Sequence, residues 1–157
     1  MPTPLQRLPS APMRVLVVDD DREVRTTLEV VLGAHGYHIL TAADGSEGLM
    51  RAERDAPHLI LIDLMMPRRS GLSVVEHLER WPSRPRIILM TASTESRHQQ
   101  LSSTARIDGF LRKPFELPSL LALVDGILSP LADRFAAAPG PHHLQPRVKE
   151  ESATTAP

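Results

Sequence analysis

Three short apolar runs constrain this chain more than any other feature: RVLVV at 14–18, HLILI at 58–62 and RIILM at 86–90. Their apolar residues are consecutive rather than alternating, which suits parallel strands covered on both faces. Two weaker runs, YHILTA at 37–42 and GFLR at 109–112, bring the set to five. Runs this short could equally be buried helix, so the segments between them decide the matter. Val24, Leu28, Val31 and Leu32 recur at helical spacing until Gly33 and Gly36, and Leu72, Val75 and Leu78 do so until Pro82. Residues 45–54 follow the turn dipeptide Asp44-Gly45 as a short helix. Leu117, Leu120, Leu121, Val124, Ile127 and Leu128 give the clearest stripe, over 116–128, with Pro118 tolerated in its first turn. The segment 94–105 offers only Leu101 and Ala105 to a core and reads as a loosely held helix. Strand then helix, five times over, predicts an α/β fold: a doubly wound parallel sheet of flavodoxin-like (βα)5 type, strand order 2-1-3-4-5.

Composition sets the limits of that unit. Pro2, Pro4, Pro9 and Pro12 crowd residues 1–13, and residues 130–157 are rich in proline and alanine, so both ends are expected to be disordered around a folded unit at 14–129. The stretch LADRF could extend the last helix by a turn. At 157 residues there is room for one ordinary domain. The net charge of −1 gives no electrostatic reason to expect nucleic acid or a membrane surface as partner. The absence of cysteine excludes disulfides and thiolate metal sites. No apolar run approaches the ~18 residues of a membrane helix, and the N-terminus lacks the apolar stretch of a secretory signal, so a cytoplasmic protein is expected.

In an open parallel sheet, sites form beyond the carboxyl ends of the strands. Asp19, Asp20 and Asp21 follow strand 1, Asp63 follows strand 3, Thr91 follows strand 4, and Lys113-Pro114 follows strand 5. Neighbouring strands would bring these groups to one crevice. Clustered carboxylates repel and raise one another's pKa unless a cation joins them. Oxygen donors without His or Cys suit Mg²⁺. A carboxylate so placed can act as a nucleophile toward phosphorus, with a lysine and a hydroxyl to hold the phosphoryl oxygens. Asp63 would then be rigidly held at the end of its strand with only its carboxylate presented. Asp21 is better placed to cap the first helix than to bind metal.

The motifs LVVDDD, LILIDLMMPRRSG, MTAS and FLRKPF, in this order and after these elements, resemble the receiver domain of two-component response regulators over residues 14–129. The resemblance implies a phosphorylation switch rather than an enzyme acting on other substrates. Asp63 is then the phosphoacceptor, Asp20 a direct Mg²⁺ ligand, Asp19 a ligand largely through water, and the Met65 carbonyl a further metal ligand. Thr91 corresponds to the switch hydroxyl, Phe110 to the aromatic that moves with it, and Lys113 to the phosphate-binding lysine. The Lys113-Pro114 bond would be cis. A sensor histidine kinase or phosphotransfer protein would donate the phosphoryl group, and a downstream protein would read it. A stand-alone receiver is expected, since little ordered chain follows 129. The alternative is a degenerate receiver serving as an unphosphorylated scaffold.

Two departures bear on the surface. Arg106 and Ile107 replace the family's small Gly-Ala pair, which affects weak homodimerisation through the fourth helix, fifth strand and fifth helix (the 4-5-5 face). Phe110 stands where tyrosine is common, so the ring has no hydroxyl to present. A haloacid dehalogenase phosphatase would need Asp-x-Asp-x-Thr/Val after strand 1, whereas Asp19-Asp20-Asp21-Arg22-Glu23 ends in Glu. Three acids there would also repel the phosphate of a flavin nucleotide. Arg68 and Arg69 read as a solvated loop, and Trp81 as packing.

Overall fold

The computed structural model of the protein describes residues 11–92 and 105–137. Five strands form one parallel sheet: β1 Arg14–Val18, β2 His38–Ala42, β3 Leu59–Asp63, β4 Arg86–Thr91 and β5 Gly109–Arg112. Their order is β2-β1-β3-β4-β5, as the alternation of runs and stripes predicts. Among the described residues, three helices, α1 Arg22–Ala34, α2 Gly45–Asp55 and α3 Gly71–Leu78, and a C-terminal helix, Leu117–Ala137, cover the sheet. Of the helix expected at 94–105, only Ala105 lies within the described residues, and it is buried.

Because strand side chains alternate between faces, each apolar run feeds two cores. Leu16, Val18, Ile60, Ile62, Ile87 and Leu89 pack with Ala52 of α2 and Val74, Val75 and Leu78 of α3. On the other face Val15, Val17, Leu59, Leu61, Ile88 and Met90 meet Leu28 and Leu32 of α1 and Leu120, Val124 and Leu128 of the C-terminal helix. Each of the Val, Leu, Ile and Met side chains among them gains roughly 1.5–3 kcal/mol on burial, which is why the central runs carry no polar interruption. Trp81 packs on the first core, as expected for a structural residue.

Both boundaries of the folded part differ from those expected. Met13 is half-buried against the second core, and its carbonyl accepts a hydrogen bond from the His38 amide at 3.0 Å, so order begins before 14. The C-terminal helix runs to Ala137: the extension through LADRF forms as the sequence allowed and continues two residues past it, so residues 130–137 are helical rather than disordered. Pro130 lies inside it without ending it. The ring removes one backbone donor, but Leu131 still packs on the second core, and Phe135 meets His58 edge-on at 5.4 Å between ring centroids.

Candidate functional site

Register brings the expected groups to one end of the sheet. Val18 pairs with Ile62, Asp63 with Met90 and Thr91 with Arg112, so the residues ending or following these strands lie within about two residues of a common level. Three local devices then fix the side chains. Asp21 caps α1, its carboxylate accepting from the amides of Glu23 at 2.9 Å and Val24 at 3.5 Å, which confirms it as a cap. The Asp21 amide donates to Asp19 Oδ1 at 2.9 Å, turning the Asp19 carboxylate inward. The Arg25 guanidinium, one turn into α1, donates to the Asp19 carbonyl at 2.6 Å. Sequence reasoning missed Arg25, although its place on the site-facing start of α1 was a usable signal.

After β3 the chain folds back tightly. The Met65 amide donates to Asp63 Oδ1 at 3.2 Å, Arg68 adopts a positive φ of 70°, and the Gly71 amide donates to the Leu64 carbonyl at 3.1 Å. Gly71 has a steric role that its sequence context did not reveal. A Cβ there would lie 2.2 Å from the Asp63 carbonyl oxygen. Only glycine lets α3 start so close to the Asp63 backbone. Arg68 is exposed, as a solvated loop residue should be, whereas Arg69 is half-buried beside Gly45.

Asp19, Asp20 and Asp63 converge, each offering a carboxylate oxygen within 4.8 Å of the others. Asp19 is fully buried and Asp20 exposed, while Asp63 keeps only 7 % of its surface open, less than a freely presented carboxylate would. The Lys113 ammonium reaches between them, donating to Asp19 Oδ2 at 2.6 Å and lying 3.4 Å from Asp63 Oδ2. Burial, then the charge of Asp19, hold the Asp63 carboxyl above its ordinary value, against the opposing pull of Lys113. Repulsion alone was the expected cause; desolvation is the larger. Burial lowers the Lys113 pKa, but its hydrogen bond to Asp19 and the charges of Asp19 and Asp63 outweigh this and leave it raised.

Thr91 is fully buried at the end of β4, and its carbonyl accepts from the Lys113 amide at 2.8 Å. Phe110 is half-buried against the first core. The Lys113-Pro114 bond is cis. Beside Phe110, Ile107 packs inward and Arg106 is exposed. The donor set at the acidic end consists of hard oxygens, with no nitrogen or sulfur ligand among them, and suits Mg²⁺ better than a transition metal.

A family model for the response regulator receiver domain matches residues 15–125. The response regulator MprA of Mycobacterium leprae is 39% identical over 116 residues, covering 74% of this chain and 51% of that protein. The chain thus spans about half the length of the curated relatives it matches. Among solved structures, the chemotaxis protein CheY4 of Vibrio cholerae is 30% identical with a TM-score of 0.69, covering 75% of this chain and 100% of that one. TrrA of Thermotoga maritima, solved in complex with Mg(2+)-BeF, is 34% identical with a TM-score of 0.66, covering 74% of this chain and 99% of that one.

Proposed function

The chain belongs to the response regulator receiver domain family of two-component systems, and we propose that it is a phosphorylation switch accepting a phosphoryl group on Asp63. One observation carries the reading: the ammonium of Lys113 is held between Asp19 and Asp63 at the end of the sheet. An Asp63 oxygen attacks phosphorus, forming an acyl phosphate as the bond from phosphorus to the donor's nitrogen or oxygen breaks and the leaving group takes a proton. Asp19, Asp20, Asp63 and the Met65 carbonyl would hold Mg²⁺, which neutralises charge on the transferring oxygens when bound. Its presence in the related TrrA complex supports that assignment.

The chain's own residues do the rest. Lys113, already 3.4 Å from Asp63 Oδ2, exchanges part of its pairing with Asp63 for the incoming phosphoryl oxygens. Asp19 keeps the ammonium in place through the shorter contact, and the Asp21 amide keeps Asp19 in place. The Thr91 hydroxyl donates to the phosphoryl group once the end of β4 moves inward, and Phe110 follows into the space left behind. A charge-assisted hydrogen bond of this kind is worth roughly 1.5–3 kcal/mol, about one to two decades in a two-state equilibrium. That input inverts a modestly biased balance and alters the surface around β4 and β5.

The donor is a sensor histidine kinase or phosphotransfer protein, the output a protein contact, and the setting cytoplasmic. No helix of the described residues is long and apolar enough to cross a membrane. The chain assists only its own phosphorylation and dephosphorylation. Hydrogen exchange with Mg²⁺ and beryllofluoride, a phosphoryl mimic, tests the switch: protection should rise at 91–92 and 105–112 and stay constant in α1 and α2. Thr91→Ala should bind the mimic yet lose that change. Equal protection in both proteins would refute the role given to Thr91.

A further inference from the structure

At the end of the sheet opposite Asp63, a groove of about 930 Å³ opens beneath the amino ends of β1, β3 and β4. This lies within the range of small-molecule sites, roughly 300–1,000 Å³. One wall is the extension of the C-terminal helix beyond 129, through Leu131 and Phe135; the ends of α2 and α3 and the loop into β4 form the others.

The groove carries surplus positive charge. Arg14 donates to the carbonyls of Asp55 at 3.0 Å and Ala56 at 2.8 Å, partners that cannot neutralise it. Arg84 and Arg86 share a single carboxylate, Asp108, each at 3.1 Å. The exposed Arg106 is tied down through its backbone, its amide donating to Glu79 and its carbonyl accepting from Arg84 at 3.2 Å. Glu53 is the acid on the wall itself. Rings accompany these charges. Phe135 leaves 60% of its surface exposed beside His58, and Trp81 stands edge-on to His77 at 6.4 Å. Pro57, Pro82 and Pro85 fix the two loops that present these groups.

Surplus guanidinium charge beside an open aromatic face matches a ligand carrying both phosphate and a planar ring. We propose that this groove binds a nucleotide, with its phosphate toward Arg84 and Arg106 and its base against Phe135. The site is separate from the phosphoacceptor end and holds whether or not Asp63 is phosphorylated.

Trp81 is the protein's single tryptophan and lines the groove, so its fluorescence reports occupancy directly. The full chain is titrated with adenosine and guanosine monophosphates, the parent nucleosides and inorganic phosphate, with excitation at the red edge to avoid base absorption. Saturable quenching by at least one monophosphate is expected, at about tenfold or more lower concentration than by its nucleoside or by phosphate alone. Arg106→Gln and Phe135→Ala replace exposed side chains, and each should weaken binding by about fivefold or more. The absence of saturation, an equal response to inorganic phosphate, or wild-type affinity in both variants would overturn the proposal.

Discussion

Replacing Gly71 by alanine should cost far more than an ordinary glycine-to-alanine change at a helix start. The added Cβ would sit 2.2 Å from the Asp63 carbonyl oxygen and 3.1 Å from Leu64 Cα. An ordinary contact lies near 3.5–4.0 Å, so the clash is with backbone that no rotamer change can move. Relief requires α3 to retreat by about 1 Å, at an overpacking cost of about 1–3 kcal/mol. The same retreat stretches the hydrogen bond from Gly71 to the Leu64 carbonyl, worth about 1 kcal/mol net. Alanine's better helix propensity returns at most about 1 kcal/mol. The balance is a loss of roughly 2 kcal/mol, which at an m-value near 2 kcal/mol/M lowers a urea midpoint by about 1 M. Gly33→Ala is the control. Nothing lies within 4 Å of a Cβ there, and α1 should gain a few tenths of a kcal/mol up to about 1. If the two variants shift the midpoint alike, the close approach of α3 to Asp63 is not what fixes glycine at 71.

Asp20→Asn should weaken Mg²⁺ binding, measured by calorimetry, while the metal-free protein melts at or above the wild-type temperature because one charge of the acidic cluster is gone. A melt well below wild type would make Asp20 structural. His58 is held below its ordinary pKa of 6.5 by burial and by the Arg14 charge, while its Nδ1 accepts from the Arg14 amide at 2.9 Å. Because the unfolded chain binds that proton more readily, His58 contributes stability above pH 6.5 that is lost as pH falls through its lowered folded value. Urea midpoints across that window should fall for wild type and fall less for His58→Gln; parallel curves would remove His58 from the account.

The three central strands were legible because runs buried on both faces tolerate no polar residue, and the crevice because parallel register aligns the residues just past each strand's carboxyl end. Even β5, four residues long, could be read, since GFLR precedes a lysine that only this topology brings back to Asp63. The C-terminal boundary failed for a local reason. Proline and alanine crowd the chain past 129, yet Val124, Leu128, Leu131 and Phe135 continue the stripe, and packing on His58 and the second core outweighs one lost backbone donor. The steric role of Gly71, which the motif LILIDLMMPRRSG contains without explaining, and the Asp108 pairing with Arg84 and Arg86 were not legible. Both depend on distances between elements, 2.2 Å to a carbonyl in one case and 3.1 Å from Asp108 to each of Arg84 and Arg86 in the other. The burial of Asp63, which governs its pKa, is likewise a property of the assembled fold.

Phosphorylation of Asp63 is read directly by intact-mass analysis after incubation with Mg²⁺ and a small phosphodonor such as acetyl phosphate. Wild type should gain one phosphoryl group, stable in acid and lost in base. Asp63→Asn should gain none. The same gain in Asp63→Asn would contradict the assignment of Asp63, and no gain in wild type would leave the chain an unphosphorylated scaffold.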